Sequence, residues 1–518
     1  MPVDEATEPE AIEPGPEAAA SEPTSLAPDE TEAEEADDAE PDPEESAAAD
    51  EETQPVPIAV LDRVVTQELG RRRRQTVSRR ALATAASGDR DPVAHLREQN
   101  ETRLPQLVPL RLQRMLANPF TFYRGTAGLM ALDLGRAPHS GILVPSCGDA
   151  HISNFGFFAS PERRIVFDLN DFDEAAAAPW EWDVKRMLAS AVIGGRHAGY
   201  APEFIEEACL QGFQAYARAL RELVADSAVD RYFMHLSSEL AGRPLSKAGT
   251  KVQAAAIAAA ERRTGERAVR RATVVGEDGR LRFVNEPPTM VRLAEAELTG
   301  NNASSQQIIA EAPNLYRAYR ASVGLDIDLV LSQYVVRDVA LRVVGVGSVG
   351  TRCFVLLLEG ADGDALILQV KQAGPSVISQ YGGIPQPRRL RRGLDESGDG
   401  FRVVGLQRVL QAVSDPFLGY FQANGRDFYV RQFHDMKGAI VLEGLAPTAF
   451  ADYILACGIV LARAHAQSPT ASEIVGYIGR SGVLGQAVLD WSMDYAERSK
   501  ADFEAARAGF AGEYEPAP

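Results

Sequence analysis

Two strings carry most of the chemistry available to this chain: CGDAHISNFG, Cys147 to Gly156, and IVFDLNDFDEA, Ile165 to Ala175. Asp149 and Asn154 stand five apart, the spacing at which a phosphoryl-transfer loop pairs a proton-accepting Asp with a magnesium-holding Asn. Asp171 follows at the end of an apolar run, where a second magnesium carboxylate belongs, with Asp168 and Asp173 as reserve metal ligands. Asp and Asn are also common turn residues, so the spacing gains weight only from a second, distant site. There Gly345, Gly347 and Gly350 satisfy G-x-G-x-x-G with Ser348 among them, and Lys371 ends a later apolar run. In a dinucleotide-binding unit the last glycine opens a helix. Here it opens TRCFVLLL, a β-branched and aromatic run that favours a strand. Strand, glycine loop, strand and lysine is the order in which backbone amides and an ammonium meet nucleotide phosphates. Arg124, among aromatics and beside Gly125, is a further candidate phosphate ligand; a helix-stapling ion pair is the alternative.

The elements that must position these residues follow from periodicity and turn chemistry. Short strands are expected at 141–144 and 165–167, then a buried helix through Val184, Leu188 and Val192 with Asp183 favouring its N-terminus. Helices continue to about Ala225, an exposed one covers 247–271, a hairpin turns at Glu277-Asp278-Gly279, and helix resumes over 306–323. Three strands, 339–344, 352–358 and 365–370, carry the glycine loop and Lys371. The stretch between Lys371 and Phe401 reads as turns, with 401–410 and 428–432 as further sheet, and it supplies no helical glutamate to pair the lysine. A helix from Pro447, capped at its C-terminus by His465, and a last helix over 484–508 finish the chain. The expected class is α+β, divided into an acidic tail (1–56), a mainly helical lobe (57–330), a β-rich lobe (331–440) and helices returning to the first lobe (441–518).

At 518 residues and 45% hydrophobic, the chain has material for large cores. Its net charge of −20 is local: 21 of the 73 acidic residues and none of the 53 basic ones fall in the first 55 positions, leaving the rest nearly neutral. That opening segment has too few apolar groups to offset its ordering entropy, so disorder is expected. The arginines that follow (71–74, 79, 80) could be masked by it or meet phosphate groups. Without interleaved aromatics they argue against nucleic acid. Four scattered cysteines without a CxxC pair argue against structural zinc or a disulfide framework. No run of about 20 apolar residues and no basic-then-apolar start point to a cytoplasmic protein without a membrane partner.

The strings NPFTFYRG, CGDAHISNFG, FDLNDFDEA, PWEWDVKR, VVGVGSVGTRCF, LQVKQA, SDPFLGYF and VRQFHDMKG resemble the bacterial domain-of-unknown-function 2252 family. CGDAHISNFG with NDFDEA also resembles the HGDxHxxN and IDFDDA loops of the aminoglycoside phosphotransferase and choline kinase group, with Cys147 in place of that group's first histidine. This second resemblance implies Asp149 as base and Asn154 and Asp171 as metal ligands. Kinases place the glycine loop before the catalytic loop, whereas here it comes some two hundred residues later. A circularly permuted, two-lobed, protein-kinase-like fold reconciles the order, and LARAHAQS near the C-terminus resembles the helix that precedes the HGD loop. The expected activity is ATP- and Mg2+-dependent transfer of a phosphoryl group to a hydroxyl or amine of a small molecule or protein. Nucleotidyl transfer, a non-catalytic nucleotide-binding module and a metal-dependent hydrolase are the alternatives.

Overall fold

A computed structural model describes residues 62–86, 88–234, 245–296, 304–433 and 436–515. The chain divides into Met1–Val60 and Leu61–Pro518, and every described residue lies in the second unit. The expectation for the acidic tail therefore falls outside the described residues.

The architecture is mixed α+β, built from several sheets and a majority of helix. The first helix, α1 (Arg63–Thr76), is capped by the Asp62 carboxylate on the Val64 N–H. Arg74 of this helix donates to the carbonyls of Gly476 and Tyr477, and Arg79, beyond its end, to that of Ile478. A short helix, α2 (Pro119–Arg124), carries Arg124. Its start is specified locally by a capping box between Asn118 and Thr121 and by proline in the first turn.

Strands β1 (Leu143–Ser146), β2 (Phe155–Ala159), β3 (Ile165–Leu169) and β4 (Ala176–Pro179) flank the two acidic loops. Strand β1 pairs with β4, and β2 with β3, both antiparallel. Helices α3 (Trp180–His197) and α4 (Pro202–Leu223) then build the main core. Residues 247–271 form two helices broken near Arg262 rather than one. The hairpin β5 (Thr273–Val275) and β6 (Leu281–Phe283), strand β7 (Met290–Arg292) and helix α5 (Ser305–Arg320) follow.

Strands β8 (Val335–Arg342), β9 (Cys353–Glu359) and β10 (Ala365–Ala373) place the glycine segment in a hairpin and Lys371 in the third strand. With β7, β11 (Gly419–Ala423) and β12 (Arg426–Gln432) they form a six-stranded antiparallel sheet ordered β11-β12-β10-β9-β8-β7. One face packs under α5 through Val339, Phe354, Leu368 and Val430.

Residues 388–410 depart from expectation: they form a helix, α6 (Arg388–Leu410), where turns and then sheet were read. Its buried positions Val403, Leu406 and Leu410 have helical spacing. Its glycines are there for contact: a Cβ on Gly400 would lie 2.4 Å from the Phe428 carbonyl oxygen, and Gly398, at φ 71°, interrupts the helix against Asp427.

The two-residue strand β13 (Gly438–Ala439) extends the β2–β3 sheet. Helices α7 (Pro447–Ala466), α8 (Ala471–Ile478) and α9 (Gly482–Gly509) return to the main core. By length and composition α7 alone, among the described residues, could cross a membrane, yet 78% of its apolar window is buried inside the protein.

Candidate functional site

The loop after β1 is held from below. Asp183, in the first turn of α3, accepts hydrogen bonds from the backbone N–H of Cys147 (2.8 Å) and of Gly148 (3.0 Å). Its Oδ2 also meets the His465 Nε2 at 3.2 Å, and the other ring nitrogen of His465 meets the Tyr216 hydroxyl at 2.8 Å. His465 is thus a fully buried bridge from α7 to α3 and α4, not the helix cap expected from its position. Gly148 is required as glycine: at φ +75° a Cβ would stand 2.0 Å from the Glu174 carbonyl oxygen.

This clamp presents Asp149 and Asn154. The Asn154 amide nitrogen donates to the Asp149 carbonyl at 2.7 Å, which leaves its side-chain oxygen as the atom open to a ligand. The Asp149 carboxylate accepts from the Arg186 Nε at 2.7 Å. Burial raises its pKa above the ordinary range even against that guanidinium. Burial likewise holds His151 neutral, its Nδ1 without a partner.

The second string supplies the other acids. Lys371 is 2% exposed and donates to the Asp173 Oδ2 at 2.5 Å, with the Asp171 Oδ1 at 3.8 Å. The Tyr429 hydroxyl donates to the other Asp173 oxygen at 2.6 Å. Burial disfavours both charges, but pairing wins: the net shift takes Asp173 below the usual carboxylate range and Lys371 well above the usual lysine range. Asp173 therefore fills the role of lysine partner that spacing left empty, and as a metal ligand it is already engaged on both oxygens. Asp171 is the open carboxylate, 39% exposed.

Asp168 stands apart from this group. Its carboxylate accepts from the backbone N–H of Ala412 and Leu169, with the Arg463 charge acting on it, and it does not line the cleft, unlike the reserve metal ligand expected from its position.

Three parts of the chain face one cleft of about 540 Å³: Asp149, Asn154, Asp171 and Asp173; Arg124; and the loop Gly345 to Ser348. Lys371 does not line it; the ammonium lies behind the two aspartates, which corrects its expected direct contact with a ligand. Gly350 is also off the cleft, at φ +92° with its carbonyl accepting from the Leu104 N–H.

The loop is tied down by Arg114 on the Gly345 carbonyl (3.0 Å) and Arg103 on that of Val349 (2.6 Å). Among the described residues, no hydrogen bond engages the N–H groups of Val346, Gly347 or Ser348. Arg124 likewise has no hydrogen-bond or ion-pair partner there, its Nε is buried, and the charges of Asp149, Glu443 and Asp171 act on it. An unpaired guanidinium and a row of open amides converge on one side of the acids.

Sequence reasoning missed Arg402, which donates to the carbonyls of Ala175 (2.5 Å), Asp173 (2.9 Å) and Gly374 (2.8 Å) and so binds the acidic loop to the end of β10. It also missed Arg186 and Glu174. Only the helical spacing around Arg402 could have placed it.

Among the described residues no three His, Cys, Asp or Glu side chains converge to hold a metal unaided. Asp171 with the Asn154 oxygen suits magnesium, which takes one or two protein ligands and completes its shell with water and phosphate oxygens.

The fold and cleft define a mixed α+β protein with an acid cluster facing a glycine-rich hairpin. The chain belongs to a family described as "Uncharacterized protein conserved in bacteria (DUF2252)", whose profile matches residues 103–508. No match was found among curated proteins or among solved structures.

Proposed function

We propose that the protein is an ATP- and Mg2+-dependent phosphotransferase on a kinase-like, two-lobed and circularly permuted fold. The observation that carries this reading is the convergence of the open amides 346–348 and the unpaired Arg124 on the cleft of Asp149, Asn154 and Asp171. A hydrolase site would not need that arrangement. The cleft volume of about 540 Å³ lies within the range of small-molecule and cofactor sites.

In this reading magnesium is held by Asn154 and Asp171, and supplies charge neutralisation on the nucleotide phosphates. The loop amides and Arg124 bind those phosphates, Lys371 fixes Asp171 and Asp173, and Asp149 orients the acceptor hydroxyl or amine. The permutation is supported by where α7 ends. The Thr470 hydroxyl, just beyond it, donates to the Leu143 carbonyl at 2.6 Å, and the Tyr453 hydroxyl donates to that of Phe155 at 3.1 Å. The helix bearing LARAHAQS therefore abuts the strand that enters the Cys147 loop, and joining the two directly would restore the usual kinase order.

Thermal unfolding with magnesium and a panel of nucleotides tests the binding half. ATP is expected to raise Tm in the intact protein and to do so much less in Arg124→Ala. No stabilisation by any nucleotide would overturn the reading.

A further inference from the structure

We infer that Arg186 is the positioning residue of Asp149, held for that purpose on the face of Tyr123; the inference rests on Asp149 being the residue that orients the acceptor. Arg186 is 2% exposed. Its Nε donates to the Asp149 Oδ1 at 2.7 Å, and its Nη2 donates to the Tyr123 carbonyl at 2.8 Å. The guanidinium carbon lies 3.9 Å above the centroid of the Tyr123 ring, and the Tyr123 hydroxyl donates back to the Arg186 carbonyl at 3.1 Å. Three contacts with Tyr123 and one with Asp149 leave the guanidinium one orientation.

The consequence for Asp149 is directional. One carboxylate oxygen is anchored, so the carboxylate cannot rotate freely, and the second oxygen is left to the cleft, with the neutral His151 Nε2 at 3.8 Å. Lysine cannot reproduce this, because it lacks the planar fork that reaches Asp149 and the Tyr123 carbonyl together. The same turn of α2 points its next residue, Arg124, at the cleft, so a single capped helical turn sets both the platform of Arg186 and the free guanidinium.

The test combines kinetics with structure. Arg186→Ala is expected to lower kcat by about 10²-fold, the scale of a small misplacement at a reacting centre, while the Kd for Mg-ATP stays within about twofold. Added guanidinium is expected to restore part of kcat, and Arg186→Lys, which keeps the charge but not the fork, to remain impaired. Tyr123→Leu, which keeps Arg186 but removes its platform, is expected to lower kcat in the same direction and supplies a second route if Arg186→Ala does not fold. A crystal structure of Arg186→Lys should show the Asp149 carboxylate turned from its place. Full activity of Arg186→Lys, or an unmoved Asp149 in that structure, overturns the inference. Absence of turnover in the unaltered protein overturns phosphoryl transfer instead, and the crystal structure then still decides whether Arg186 fixes Asp149.

Discussion

Glu174 shows how burial at a single side chain governs the behaviour of the cleft. Its carboxylate lies at the cleft wall, accepts from the Val377 N–H at 2.8 Å, and is raised by burial to about 7. An unfolded chain releases that proton near 4.5, so between about 4.5 and 7 the native state holds more protons than the unfolded one. Stability therefore falls as pH rises through this window, by at most about 3 kcal/mol before solvent screening. Urea midpoints measured across it should decline in the unaltered protein and flatten in Glu174→Gln; an equal slope in both would refute the assignment. Which acids converge was legible only in part. Asp149, Asn154 and Asp171 were marked by spacing, whereas the division of labour among Asp168, Asp171 and Asp173 was not. That division depends on Lys371, Tyr429 and the Ala412 N–H, all more than 190 residues away in sequence.

At the scale of elements, α6 ties the second acidic loop to the end of β10 through Arg402, which is 1% exposed. Removing it by Arg402→Ala leaves the carbonyls of Ala175, Asp173 and Gly374 without a donor in the interior. A loss of about 3 kcal/mol is expected in urea unfolding, as for a buried charged group whose partners are stranded. A loss under about 1 kcal/mol would mean that the acidic loop is held by other contacts.

The strands carrying the glycine loop and Lys371 were readable because β-branched runs alternate with glycine turns. Residues 388–410 were not. Glycine at 393, 398, 400 and 405 looks like loop composition, and the reason for most of it lies outside the segment. At 393 the obstacle is the ring of Phe401, at 400 the backbone of Phe428, and at 398 the carboxylate of Asp427. Asp183 and His465 were each read as serving their own helix ends. Their meeting at 3.2 Å, 282 residues apart, depends on α7 packing beside α3.

At the scale of the molecule, an ion-pair group ties an early part of the described residues to the last helix. Arg90 donates to Asp133 and, 412 residues on, to Asp502 in α9, at 2.6 to 3.0 Å, with all three side chains largely buried. Arg90→Ala would strand the Asp502 carboxylate while Asp133 kept Arg498 and the Tyr495 hydroxyl, and a loss of about 3 kcal/mol, read as a lowered Tm, is expected. That the glycine segment and the acidic loops, some two hundred residues apart, face one cleft was readable from motifs alone. The contact by which the end of α7 meets β1, Thr470 on the Leu143 carbonyl, required the folded chain.

Product analysis after incubation with magnesium and ATP labelled in the α or the γ position tests the central claim most directly. Phosphoryl transfer gives ADP and moves the γ label to an acceptor or to water, in the unaltered protein and not in Asp149→Asn. Release of AMP with transfer of the α label, or no turnover in either protein, would contradict it.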